Sequence, residues 1–204
     1  MFTLTINKLI GSVLEIILFG LIPLVWWVVT ARKKENFFSW VGLKKTKALA
    51  KKNVILWIIA VIVLFTAVTF VSLFMLKGIE AAASEFNGLG IKALVPALVY
   101  AFLNTALPEE ILFRGFLLKR FSAKFGFVKA NILQCTIFGF MHGAMFFSMA
   151  GPLKALFIIA LTGTVAYIIG FVNEKKADGS IIPSWIIHGT TNLISAIIAM
   201  FSLI

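Results

Sequence analysis

The sequence predicts an all-α fold, a polytopic bundle of transmembrane helices. Three observations lead there. Of the 204 residues, 61% are hydrophobic and only 13% charged, and mean hydropathy is +1.04. Soluble domains carry roughly 45–50% apolar and about 25% charged residues. A soluble core of this size has too little polar surface to cover so much apolar material. The apolar stretches are also continuous and long instead of alternating, which reads as helix. Finally, the basic residues, Arg114 apart, fall between these stretches or at their ends. In lipid a chain must satisfy its backbone groups internally, which helices do.

About six spans are expected, with an interfacial segment after the first, in a single integral membrane domain over 1–204. The first span runs over 10–30 and ends at Arg32, Lys33 and Lys34. Only Lys8 precedes it, so it reads as a retained helix and not as a removed leader. Asn36 to Leu43 (NFFSWVGL) is aromatic and followed by lysines, which predicts a segment lying along the membrane surface. The remaining spans are expected at 54–76, 92–118, 128–149, 153–173 and 181–203. The third holds Pro108, which predicts a kink or a restart. Residues 10–76 form two N-terminal spans around a basic loop, and 92–204 form a four-helix core that carries the polar groups.

The net charge is +11. Fourteen basic residues fall on one side of the predicted bundle: Arg32 to Lys52 in the first loop, Lys119 to Lys129 after the third span, and Lys175 with Lys176 after the fifth. Lys8, Lys77, Lys92 and Lys154 fall on the other, and Arg114 lies within a span. The positive-inside rule puts the crowded side in the cytoplasm and both termini outside. Membrane lipid is therefore the expected partner of this charge. Nucleic acid is not, since no groove pattern of interleaved aromatic and basic residues occurs. Cys135 is the sole cysteine, so no intrachain disulfide exists, and it reads as a small core residue.

Polar groups within lipid are costly and each needs a reason. The third span holds Glu109, Glu110 and Arg114, the fourth Asn131, Gln134 and His142, and the sixth Ser184, His188, Asn192 and Ser195. The last four form one stripe at helical spacing that must face the bundle interior. Counted from the basic side, Glu109, His142 and His188 lie at depths of about 15, 20 and 12 Å, at roughly 1.5 Å per residue. Three helices thus bring a carboxylate and both histidines of the chain to similar depth, in the cytoplasmic half. Glu110 and Arg114, four apart, can pair on one face. Glu109 points about 100° away with no partner in its own helix, which suits a general base. Gly139 and Gly143 flank His142 and read as packing features, as do Gly163, Tyr167 and Gly170.

These residues resemble a known family. Glu109-Glu110-Ile-Leu-Phe-Arg114 matches E-E-x-x-x-R, Phe138-Gly-Phe-Met-His142 matches F-x-x-x-H, and His188-Gly-Thr-Thr-Asn192 matches H-x-x-x-N. In that order, over roughly Ala93 to Leu193, they resemble the CPBP family: CAAX proteases and bacteriocin-processing enzymes, also called Abi proteins. The resemblance implies a glutamate-dependent intramembrane endopeptidase acting on a membrane-associated peptide or protein in a bacterial cell membrane. It implies that Glu109 and His142 activate water, that His188 and Asn192 stabilise the oxyanion, and that Glu110, Arg114 and Phe138 shape the site. Bacteriocin leaders, peptide-signal precursors or a self-immunity role are the expected contexts.

No cofactor is expected. The alternative is a Zn²⁺ ion held by Glu109, His142 and His188, although no H-E-x-x-H occurs and the ligands would come from three helices. A noncatalytic immunity or scaffold protein that binds a membrane partner is a further alternative. A small transporter is disfavoured because no inverted repeat is visible.

Overall fold

A computed structural model describes residues 1–76, 78–79 and 82–203. Lys77, counted above in the charge balance, and Ile204, the last residue of the expected core, lie outside the described residues. The described chain is helical throughout its long elements. α1 covers Phe2–Thr30 and α3 covers Lys52–Met75. Both keep most of their Val, Leu, Ile and Phe side chains on the outside of the bundle, with Leu18, Val29 and Phe74 among the most exposed. Such rings of apolar surface are solvated by lipid tails, which confirms an integral membrane protein.

Five helices among the described residues are long and apolar enough to cross a membrane. One of them, α7 (Phe127–Lys176), is 50 residues long and turns back on itself. Gly151 takes φ 79° and ψ 170°, a left-handed backbone position open to glycine, and Pro152 follows. The two arms pack antiparallel. Asn131 Nδ2 donates to the Tyr167 carbonyl at 2.9 Å, and Gln134 Nε2 donates to the Ala166 carbonyl at 3.2 Å. Further along, Gly139 faces the Ile159 carbonyl so closely that an added Cβ would sit 2.7 Å from that oxygen. Gly143 is closed over by Ile159 and Ala155 in the same way. The small residues predicted to allow close packing do so, and the hairpin supplies the expected fourth and fifth spans.

The third span is a continuous helical run over Gly90–Phe125. The winding restarts around Pro108, one of the two outcomes expected: α4 (Leu94–Val99) leads into a π-helical segment, Tyr100–Ala106. A single α-turn follows as α5 (Leu107–Glu110), then a second π segment, Ile111–Leu118, and finally α6 (Lys119–Phe125). Proline lacks an N–H and its ring crowds the preceding turn. Widened i→i+5 turns flank the proline on both sides and give its ring room. Gly126, at φ 76°, ends the run and opens α7.

α8 (Ile182–Met200) packs along the first π segment and α3. The basic end of the bundle is tied together by the loop after α1. There α2 (Phe37–Trp40) is capped by Asn36, whose side-chain oxygen accepts from the Ser39 N–H at 2.9 Å. This segment does more than lie on the surface. Phe38 is exposed, but Trp40 and Val41 are buried, and the Arg120 guanidinium stacks 4.1 Å over the Trp40 ring. Ile181 N–H donates to the Gly42 carbonyl at 2.8 Å, Ser180 Oγ donates to the Lys44 carbonyl at 2.7 Å, and Lys119 bridges Glu174 and the Gly179 carbonyl. At the opposite end Lys8 pairs with Glu85 and the Gly88 N–H donates to the Ala199 carbonyl.

Candidate functional site

The polar side chains of the third, fourth and sixth spans converge where the stretch around Pro108 crosses α8. Glu110 is fully buried, and its Oε1 accepts two charge-assisted bonds. Arg114 Nη1 donates at 2.9 Å and His188 Nδ1 lies at 3.0 Å. The sequence pairing of Glu110 with Arg114 is present, and the structure adds His188 to it. With Nδ1 held by Glu110, the imidazole turns Nε2 toward Glu109, whose Oε2 is 3.9 Å away. The ring is held flat by stacking on Phe65 of α3 at 6.3 Å and by the edge of Phe138.

Phe138 is a platform more than a wall. The Arg114 guanidinium lies 4.4 Å over its ring, the His142 ring centroid is 4.3 Å from it, and Phe113 meets it edge-on at 4.9 Å. This cation–π contact offsets part of the cost of burying Arg114, whose Nε and Nη2 have no hydrogen-bond partner among the described residues. His142 Nδ1 lies 3.0 Å from the Phe138 carbonyl, one turn back. A carbonyl only accepts, so Nδ1 carries the proton, and Nε2 of the neutral ring is left as an acceptor. His142 lies within electrostatic reach of both Glu109 and His188. Glu109 Oε2 is buried without a hydrogen-bond partner among the described residues, which leaves one oxygen of the carboxylate uncommitted. Asn192 lies one turn beyond His188, and its Nδ2 donates to Thr105 Oγ1 at 2.7 Å.

All seven side chains expected from the sequence are thus accounted for. Glu109, Glu110, Arg114, Phe138, His142 and His188 form one connected cluster, and Asn192 stands one helical turn along from it. Ser184 is locked to Asn173 of α7 by two hydrogen bonds and its side chain also interacts with Glu110, whereas Ser195 Oγ donates to the Thr191 carbonyl. Cys135 is half-buried, not a core residue, and lines a groove of about 430 Å³ between the α7 arms with Thr136, Gly163 and Tyr167.

Sequence reasoning missed three participants. Glu15 of α1 is a third intramembrane carboxylate, close enough for the charges of Glu15 and Glu109 to interact. A search for carboxylates deep within spans passes over it because it lies only five residues into the first. Phe65 gives no signal in an apolar span. Thr105, four residues before Glu109, was detectable only by that spacing.

A scan against protein families matches residues 91–194, just over half of the chain, to the type II CAAX prenyl endopeptidase Rce1-like family. The chain belongs to this family. Its membership in the CPBP group of membrane proteases is the membership that the three motifs imply. No curated protein and no solved structure matches the chain. The matched region begins at the start of the Pro108-containing helix and ends within α8, so it includes every residue of the cluster that came from the motifs. Glu15, Trp40 and Phe65 lie outside it, on α1, α2 and α3.

Among the described residues no group of three His, Cys, Asp or Glu side chains is gathered closely enough to hold a metal ion. His188 Nδ1 is already engaged by Glu110, so any ligation by that ring would have to use Nε2.

Proposed function

We propose that this family member is an intramembrane endopeptidase that cleaves a membrane-associated peptide with water activated by Glu109 and His142. The observation that carries the reading is the shared Glu110 oxygen, which joins Arg114 to His188 and turns His188 Nε2 toward Glu109. In this reading Glu109 and the free Nε2 of His142 are the two acceptors that a water would bridge. A water between them loses a proton as its oxygen bonds to the scissile carbonyl carbon. The negative charge that develops on the carbonyl oxygen needs donors. An imidazolium at His188, with Nδ1–H on Glu110, presents Nε2–H to that oxygen, and the Asn192 amide supplies a second N–H one turn away. When the tetrahedral adduct collapses, the C–N bond breaks and the captured proton passes to the leaving amine.

The substrate class follows from location. A scissile bond must reach a cluster enclosed by lipid-facing helices, which suits a membrane-anchored or strongly apolar peptide. Bacteriocin leaders and peptide-signal precursors are such substrates, and the basic end of the bundle is the cytoplasmic one in this reading, with both termini outside. The test uses purified protein in liposomes and internally quenched peptides, one prenylated at its C-terminal cysteine and one apolar and unlipidated. Wild type should cleave at least one of them. Glu109→Gln should fold normally and lose about 10²–10⁴-fold in rate, the range of general-base removal. Undiminished cleavage by Glu109→Gln would refute the mechanism.

A further inference from the structure

Thr105 lies in the first π segment, one turn before Glu109, and faces α8. Its hydroxyl oxygen is 3.0 Å from the Tyr100 carbonyl and 3.2 Å from the Ala101 carbonyl. A hydroxyl owns one proton, and both of these neighbours are acceptors only. The proton is therefore committed to the backbone, shared between the i−5 and i−4 carbonyls that the widened π turn brings within reach together. What remains on Thr105 Oγ1 is acceptor capacity, directed at Asn192, whose Nδ2 lies 2.7 Å away.

This arrangement discriminates between the two ends of the amide. If Asn192 were flipped, Thr105 would have to give up its backbone bonds to offer Oδ1 a proton, or two acceptors would be left in contact. With the hydroxyl proton on the backbone, the amide nitrogen faces Thr105, one N–H is used there, and the other is left to donate elsewhere. The register agrees with this. Thr105 opposite Asn192 and Glu109 opposite His188 are successive rungs, four residues apart on each of two helices that run in opposite directions. Without the rung, Asn192 can rotate or flip, and its carbonyl oxygen would then face any developing oxyanion.

We propose that Thr105 is a positioning residue for the peptidase reaction: its backbone-committed hydroxyl fixes the Asn192 amide so that one N–H is presented to the oxyanion. The proposal rests on the reading of Asn192 as an oxyanion donor given above. Thr105 does not touch the reacting atoms and acts only through Asn192.

The experiment compares Thr105→Val, Thr105→Ser, Asn192→Ala and Thr105→Val/Asn192→Ala in liposomes, with whichever of the two quenched peptides wild type cleaves. Full loss of an oxyanion donor typically costs about 10²–10³-fold in kcat. Thr105→Val should lower kcat by about 10–100-fold with KM within about twofold, because the donor is misaimed and not removed. Thr105→Ser, which keeps the hydroxyl, should recover to within about threefold of wild type. On the Asn192→Ala background, Thr105→Val should add less than about twofold, since a residue acting through Asn192 has nothing left to position. Melting temperatures of the four variants accompany the rates. The proposal is overturned if Thr105→Val retains wild-type kcat, if its effect multiplies in full on the Asn192→Ala background, or if Thr105→Ser fails as badly as Thr105→Val. An impaired Asn192→Ala beside a fully active Thr105→Val sinks the Thr105 role alone. A fully active Asn192→Ala removes the oxyanion assignment itself and the positioning role with it.

Discussion

Glu110→Gln separates the structural and chemical duties of adjacent glutamates. Glu110 and Arg114 are both completely buried, and the single oxygen Oε1 accepts from Arg114 Nη1 at 2.9 Å and from His188 Nδ1 at 3.0 Å. Glutamine keeps the shape and removes the charge. Breaking a buried pair by neutralising one member costs roughly 3–5 kcal/mol, because the remaining charge has no counter-ion. A chain of this size shifts its midpoint by about 2–4 °C per kcal/mol, so the detergent melting temperature should fall by roughly 6–20 °C. The Phe138 ring over the guanidinium offsets part of this, which favours the lower half of the range. Replacing Arg114 as well, in Glu110→Gln/Arg114→Met, removes the stranded charge and should restore about half of the lost stability. Activity should not return with it, because the anchor of His188 Nδ1 is still a neutral amide. The assay is a melting curve beside the peptide cleavage rate for wild type, both single variants and the double variant. A Glu110→Gln protein that melts within 2 °C of wild type, or a double variant that regains both stability and rate, would refute this division of labour.

Three other outcomes are expected. Gly139→Val places a branched side chain where a Cβ alone would lie 2.7 Å from the Ile159 carbonyl oxygen, so the α7 arms must separate, at a cost of about 1–3 kcal/mol or more seen as a lower melting temperature. Peptide cleavage should survive EDTA and phenanthroline, and loss that Zn²⁺ restores would reassign Glu109, His142 and His188 to metal ligation. Single cysteines placed between 31 and 51 in a Cys135→Ala background should resist an impermeant thiol reagent in intact cells, and rapid labelling there would reverse the proposed orientation.

The helical, membrane-spanning character was legible because it depends on composition and run length, which tertiary contacts do not alter. The hairpin was legible as two spans because Gly151 and Pro152 punctuate an otherwise unbroken apolar stretch. The cluster was legible because intramembrane charge is rare, so Glu109, Glu110, Arg114, His142 and His188 stand out against their surroundings. Three things were not legible. The π winding around Pro108 depends on what the neighbouring helices accept, and proline alone predicts a kink equally well. The triple junction at Glu110 Oε1 could be read only as far as its local half, since an i,i+4 pairing is written in one helix and the bond to His188 spans 78 residues. The burial of Trp40 and Val41 depends on Gly115 leaving room beneath the Val41 carbonyl, and nothing in NFFSWVGL announces that vacancy.

The widened turns on either side of Pro108 have a consequence for how this chain can vary. In an α-helix each residue advances about 100° around the axis. Deleting one residue between Tyr100 and Ala106 would let that turn relax to ordinary α winding, and the rest of the helix could then keep its heading. A deletion between Leu107 and Glu110 falls where the winding is already tight, and would swing the two glutamates themselves to different neighbours. Length changes should therefore be tolerated unevenly along this helix: the looser turns act as expansion joints, and the short tight segment between them fixes the phase of the two glutamates.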